Sequence, residues 1–377
     1  MSLTSSLRGA IATFLFSLPA LAAAPAATTS AASSVTSTTA QLNGQANPNG
    51  ESATGWFRHS TTNPGACDDS FGTRVPASGG TAVGAGMTSV SYSVSTSGLA
   101  PGTTYFFCAI VSNASGTAFG AILSFSTPAL VPTVTTSAAT SITSTTATFQ
   151  GTANPNGSAT TGYFRFSSTN PGACNNTFGT RVPISGGTAL GAGNSVAGYS
   201  ELVTGLLAGA TYYYCAIATN AVGISYGGVL SFTTLIAAPT VTTGSASGIT
   251  GTTATLNGQA NPNGAATTGW FRYAPTDPGG CNDAFGTRLP VSGGSNLGGG
   301  SVAIGYWQNG SGLVPGTTYY FCAIASNSVG TSLGTVATFT TPAAPTVTTS
   351  AATSVLATSA TLNGSASPNG ASATGWY

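Results

Sequence analysis

Charge is almost missing from this chain of 377 residues. Only 3% of its residues are charged, against about 25% in ordinary globular proteins. There is no lysine, and the basic residues are Arg8, Arg58, Arg74, Arg165, Arg181, Arg272 and Arg288. The acids are Glu51, Asp68, Asp69, Glu201, Asp277 and Asp283, and His59 is the sole histidine. Such a chain cannot lay down the row of phosphate contacts that nucleic-acid binding requires. It cannot steer charged partners over distance. One histidine and scattered acids do not assemble a Ser-His-Asp set. Without lysine, no Lys–Asn isopeptide cross-link can form. No cofactor or metal is expected from this inventory.

Helical periodicity is the second absence, and long apolar runs the third. After the first 22 residues no segment is a transmembrane candidate. Residues 1–22 read as a secretory signal peptide: Arg8 is the positive region, Ile11 to Leu21 the apolar stretch, and Ala20-Leu21-Ala22 the cleavage site. A secreted or cell-surface protein follows from that reading, and export permits disulfides. Glycine is abundant, at 52 residues, yet the chain is 41% hydrophobic and 9% aromatic. Disordered chains lack such apolar content, so this one folds.

What is present is repetition. Gly98-Leu99-Ala100-Pro101-Gly102-Thr103-Thr104-Tyr105-Phe106-Phe107-Cys108-Ala109 returns, little changed, from Gly205 to Ala216 and from Gly312 to Ala323. Asn47-Pro48-Asn49-Gly50 returns at 154–157 and 261–264, and as Ser367-Pro368-Asn369-Gly370. Three units span 25–129, 132–236 and 239–342, and 345–377 reads as the truncated start of a fourth. A unit of about 105 residues is a small domain, not a solenoid repeat. Within the second unit, β-rich runs at 133–136, 146–150, 160–167, 197–202, 211–219 and 227–234 are separated by turn residues. A long Gly-rich connection runs from the third strand to about Ser195. The fold class is all-β: tandem β-sandwiches strung as beads on a rod.

The Gly-Leu-x-Pro-Gly-x-x-Tyr stretch resembles the E–F corner of fibronectin type III domains. The closing Ser112-Asn113-Ala114-Ser115-Gly116 and the opening Pro-Thr-Val-Thr-Thr are similar to bacterial fibronectin type III-like repeats of secreted and cell-surface proteins. The resemblance covers nearly the whole chain after the signal peptide. It implies seven-stranded fibronectin type III/immunoglobulin-like sandwiches in which Tyr105, Tyr212 and Tyr319 form a tyrosine corner. Ala208 replaces the corner proline in the second unit. The long connection and its cysteine also depart from the pattern.

Six cysteines allow fifteen pairings. Each unit holds two, 41 residues apart, and independent domains require Cys67–Cys108, Cys174–Cys215 and Cys281–Cys322. Strand alternation aims Cys108 away from the core if Tyr105 and Phe107 point inward. Asp68-Asp69 becomes Asn175-Asn176 and Asn282-Asp283 in the later units, which favours a turn cap over a calcium cage or a carboxylate pair. His59 corresponds to Phe166 and Tyr273, so a packed ring is expected there.

Trp56 with Arg58, Tyr163 with Arg165 and Trp270 with Arg272 share the outward face of the third strand. They form a candidate surface patch for a sugar or polymer. The structural alternative, which is preferred, has arginine stacking on the ring and tying down the long loop. The reading of the whole is a non-enzymatic, exported structural or adhesive repeat protein: a stalk, spacer or matrix component. The second reading is a spacer or carbohydrate-binding array of a larger secreted hydrolase. Candidate partners are polysaccharide, other surface proteins or the chain itself.

Overall fold

A computed structural model describes residues 23–370 and 372–376. The signal peptide expected at 1–22 lies outside them. The described residues form strands and turns, with no helix long and apolar enough to cross a membrane.

Alternation decides the layout of the first repeat. Its strands are β1 (Ala26–Ser33), β2 (Thr39–Asn47), β3 (Ala53–Ser60), β4 (Thr73–Val75), β5 (Thr81–Gly84), β6 (Val90–Ser97), β7 (Thr104–Asn113), β8 (Gly116–Phe119) and β9 (Leu123–Ser126). One sheet runs β1-β2-β6 and the other β4-β3-β7-β8, with β5 also on β3 and β9 also on β7. All pairings are antiparallel. On β2, Ala40, Leu42, Gly44 and Ala46 face inward and are buried, while Gln41, Asn43 and Gln45 face outward. Leu42 meets Phe57 of β3 and Phe107, Ala109 and Val111 of β7 in one apolar cluster between the sheets. This two-layer arrangement recurs at 133–233 and 240–340. Each repeat is thus a fibronectin type III/immunoglobulin-like sandwich by its strand layout. A further hairpin pairs Thr346–Thr353 with Thr361–Ser367.

The long Gly-rich connection is partly ordered as strand. It carries β4 and β5, which pair with β3 at Phe57↔Val75 and Gly55↔Thr81. Backbone groups lying over a sheet edge need partners, and the free edge of β3 supplies them. Gly72 is what lets the chain come this close. Its φ is 51°, and a Cβ there would sit 2.2 Å from the His59 carbonyl oxygen.

The corner that recurs at 98–109 has two jobs. Tyr105 is buried, and its hydroxyl accepts the Ala100 N–H at 2.9 Å. Tyr212 accepts from Leu207 at 2.9 Å and Tyr319 from Val314 at 3.0 Å. Replacement of proline by Ala208 leaves the second corner closed in the same way. Three residues on, Cys108 turns to the opposite face of β7. There it joins Trp56 and Ile110 in a second apolar cluster, with Cys67 and Phe71 of the long loop packed on top. Strand β7 is therefore buried on both faces, which explains its nearly unbroken apolar run.

Candidate functional site

The only conspicuous charged cluster of each repeat lies where the long loop crosses the outer face of β3 and β7. In the first repeat Cys67 and Cys108 are joined with S–S 1.96 Å. Cys174–Cys215 and Cys281–Cys322 are joined likewise, each pair 41 residues apart. Beside the staple, the Trp56 indole Nε1 donates to Asp69 Oδ1 at 2.8 Å. Arg58 Nε donates to the same oxygen at 2.8 Å. Arg58 Nη1 reaches the carbonyls of Phe71 at 3.0 Å and Gly72 at 3.2 Å. Arg74, arriving on β4, lays its guanidinium over the Trp56 ring at 4.6 Å from the centroid. It also donates to the Pro76 carbonyl at 2.7 Å and to that of Gly79.

The later repeats rebuild this with altered chemistry. Tyr163 donates its hydroxyl to Asn176 Oδ1 at 2.8 Å, Arg165 reaches Phe178 and Gly179, and Arg181 covers the ring at 4.0 Å. In the third, Trp270 and Arg272 both donate to Asp283, at 2.8 and 3.0 Å, and Arg288 covers the indole at 4.7 Å. An amide oxygen can therefore replace the carboxylate, because what the site needs is one acceptor for two donors.

Electrostatics follow the same geometry. Burial beneath the loop works to raise the Asp69 pKa. Hydrogen bonds from Arg58 and Trp56, with the charge of Arg58, outweigh it and hold the carboxyl below its usual value. Burial raises the Tyr163 hydroxyl despite the nearby Arg181. His59 on β3 faces inward and is lowered by burial. It is 8% exposed, with Nε2 3.2 Å from Thr96 Oγ1 and Nδ1 without a partner.

These positions revise the surface-patch expectation. Trp56, Tyr163 and Trp270 do face away from the sandwich core, but each is at most 7% exposed. The loop covers them, so Trp56/Arg58, Tyr163/Arg165 and Trp270/Arg272 present no open ring for a sugar. Two arginines share the expected work: the loop arginine stacks and the strand arginine ties carbonyls. The acidic pair divides as well. Asp68 caps the turn, accepting from the N–H groups of Ser70 at 2.7 Å and Phe71 at 3.1 Å, while Asp69 serves the strand. No group of three His, Cys, Asp or Glu among the described residues is spaced to hold a metal.

Two features were not anticipated from sequence. Thr29 is buried, and its Oγ1 accepts the Ala109 N–H from the facing sheet at 3.0 Å. Thr136 and Thr243 do the same for Ala216 and Ala323. The recurring last threonine of the opening run was the signal. The second is the core tyrosine of β6: Tyr92 donates to the Ile110 carbonyl at 3.2 Å, as Tyr199 does to Ile217 and Tyr306 to Ile324.

The Asn-Pro-Asn-Gly and Ser-Asn-x-x-Gly loops meet at one end of each repeat. Asn220 Nδ2 donates to Leu130 O at 2.8 Å and Pro155 O at 3.2 Å. In the second and third repeats that end receives the corner of the preceding repeat. Gly102 and Gly157 lie against each other, with φ of 58° and 85°. A Cβ on Gly102 would sit 2.3 Å from the Gly157 oxygen. Asn194 Nδ2 donates to Pro101 O at 2.9 Å. Gly209 and Gly264 repeat the contact between the second and third repeats, where Ser301 donates to the Ala208 carbonyl.

No protein-family model matches this chain. No curated protein matches it. Among solved structures it is similar to the FN1-FN3 domains of chicken CNTN1, at 14% identity and a TM-score of 0.33, over 84% of this chain and 99% of that one. The sandwich assignment rests on the strand layout above.

Proposed function

We propose that this chain is a non-enzymatic, exported structural or adhesive repeat protein, a stalk or spacer that holds distance. The observation that carries the reading is the joint. The end of the sandwich where other such folds present binding loops is filled by the preceding repeat's corner at Gly102–Gly157 and Gly209–Gly264. A pole used this way is unavailable to a ligand and serves instead to fix one repeat on the next. Linkers of two or three residues leave little slack.

Three further observations agree. The arginines of each sandwich are engaged internally, so little charge is left for a partner. Neutral Thr, Ser, Asn and Gly surfaces depend weakly on salt and pH, which suits an extracellular support. Disulfides persist in oxidising compartments outside the cell. Catalysis has no foothold at the sole histidine, which is buried against Thr96 and Tyr105.

Stretching single molecules of the full chain tests the reading. Each staple encloses 41 residues, about 140 Å of extended backbone. Pulled under oxidising conditions, the chain is expected to unfold in three equal steps, each lengthened by about that amount after reduction. A chain that extends without discrete steps could not serve as a load-bearing spacer.

A further inference from the structure

The third repeat has one surface that the other two lack. Its strand Ile304–Ser311 pairs with Thr253–Asn261 in the register Thr255↔Asn309, Asn257↔Trp307 and Gln259↔Gly305. These pairs lie on the outer face, because Leu256, Gly258 and Tyr306 between them are buried. Trp307 therefore stands in solvent and is 63% exposed. The matching positions are Ser93 and Ser200, opposite Asn43 and Gln150. An indole on the open face of a sheet is unfavourable by itself, since its apolar ring stays wet. Nothing in the sandwich's packing calls for it, as the two serine repeats fold alike.

The surroundings of the ring are shaped. A groove of about 510 Å³ runs on one side, lined in part by Asn296, Gln308 and Asn309. Another of about 320 Å³ lies on the other side, lined in part by Thr242, Asn257 and Gln259. Gly305 keeps the second groove open: a Cβ there would meet nothing nearer than the Gly258 oxygen at 4.0 Å. The amides are held in place with one end left over. Asn257 Nδ2 donates to Ser245 O at 2.8 Å and Ser247 Oγ at 3.0 Å, which leaves its oxygen as an acceptor. Asn309 Oδ1 accepts from Thr255 Oγ1 at 2.8 Å, which leaves its Nδ2 as a donor. Asn296 Oδ1 accepts from Gly298 N at 2.9 Å and is left with its donor likewise.

We propose that this face, centred on Trp307, is a subsite for a neutral polysaccharide of equatorially substituted hexopyranose units. Such a ring has a flat C–H face that covers an indole. Its rim of hydroxyls both donates and accepts, and so matches fixed amides of both kinds. Of the four charged groups of this repeat, Arg272, Asp283 and Arg288 are tied up by the long loop on the other sheet, and Asp277 caps a turn within that loop. A charged polymer would find no counter-ion here. A protein partner would need a contiguous interface near 1,000 Å² in total, whereas one indole with the edge of Ile304 and flanking amides offers a narrow strip. The inference does not depend on the spacer reading, and either can fail alone.

Binding of cellohexaose and chitohexaose to the full chain tests it, by calorimetry and by affinity electrophoresis in gels containing the corresponding soluble polymers. At least one hexasaccharide is expected to bind, and Trp307→Ala to weaken it about tenfold or more. Trp307→Tyr should retain part of the affinity, and Trp376→Ala, at the other exposed indole, should retain all of it. The exposed position leaves melting unchanged in each variant, so lost binding is not lost folding. No binding of either sugar at millimolar concentration overturns the proposal. So does binding that survives Trp307→Ala. So does sugar-independent dimerisation in sedimentation that Trp307→Ala abolishes, which would assign the face to a second copy.

Discussion

Replacing Arg58 by alanine removes the tie between the long loop and the sheet. The side chain is 16% exposed and makes three directed contacts, to Asp69, Phe71 and Gly72. Its partner Asp69 is 42% exposed, so the ion pair itself adds little beyond about 0–1 kcal/mol. The two carbonyl bonds come from a charged donor and run to backbone that has no other partner for them. Water can reach part of the vacated space, which puts the loss at about 1.5–3 kcal/mol. For a domain of this size, that corresponds to a melting temperature roughly 6–20 °C lower. Differential scanning calorimetry of the full chain would show one of its transitions moved and the others in place. Limited proteolysis should cut first between residues 61 and 88. Arg58→Lys should fall between wild type and alanine, because an ammonium keeps the charge but loses the planar fork. A melting profile unchanged by Arg58→Ala, with no new cleavage, would refute the pinning role.

Three groups of the first repeat have depressed pKa values: Asp68, fully exposed in its turn cap, Asp69 and His59. The folded-state pKa of Asp69 is depressed, so its contribution is complete above the ordinary carboxylate range and is lost as pH falls through the depressed value. Asp69→Asn, which copies Asn176, should reduce the loss of melting temperature below about pH 4, leaving the share of Asp68, while neutral stability stays close to wild type. His59 is depressed too, so its stability term is full above about pH 6.5 and declines as pH drops toward the folded value. His59→Phe, which copies Phe166, should remove that decline when melting is followed from pH 7 to pH 5. Unchanged pH dependence in either variant would discard the corresponding assignment.

Much of the fold was legible because the same signals recur three times. The corner, the turn Asn154-Pro155-Asn156-Gly157 and the alternation of Thr146 to Gln150 each name a local structure, and the repeats agree. Alternation also put Trp56 and Arg58 on one outward face. It could not say what lies above that face. Burial of Trp56 depends on a loop more than ten residues away in sequence, whose short strands at Thr73–Val75 and Thr81–Gly84 are too brief and Gly-rich to carry a period. The indoles singled out from sequence, Trp56 and Trp270, proved to be covered. Trp307, which drew no notice, is open. The difference is not in the residues but in which sheet the long loop crosses. Sequence placed the Asn-Pro-Asn-Gly and Ser-Asn-x-x-Gly loops at one end of each repeat and offered that end as a binding pole or a joint, but could not name the residues that meet there. Gly102 and Gly157 each read as an ordinary turn glycine at positive φ, and their contact adds a second reason why neither can carry a side chain.

End-to-end locking of the repeats through paired glycines can be read by small-angle X-ray scattering of the full chain against a Gly157→Val, Gly264→Val variant. The Cβ at Gly157 would lie 2.3 Å from the Pro101 oxygen, and that at Gly264 2.7 Å from the Gly209 Cα. Both glycines are at φ near 85–88°, where a β-branched residue is strained by roughly 1–2 kcal/mol. The sandwiches have room to keep their own cores while the joints open. The wild type is expected to give a distance distribution that fits a single end-to-end arrangement, and the variant a shorter, broader one. Wild-type scattering that already requires an ensemble of bent arrangements, unchanged by the two valines, would contradict the locking.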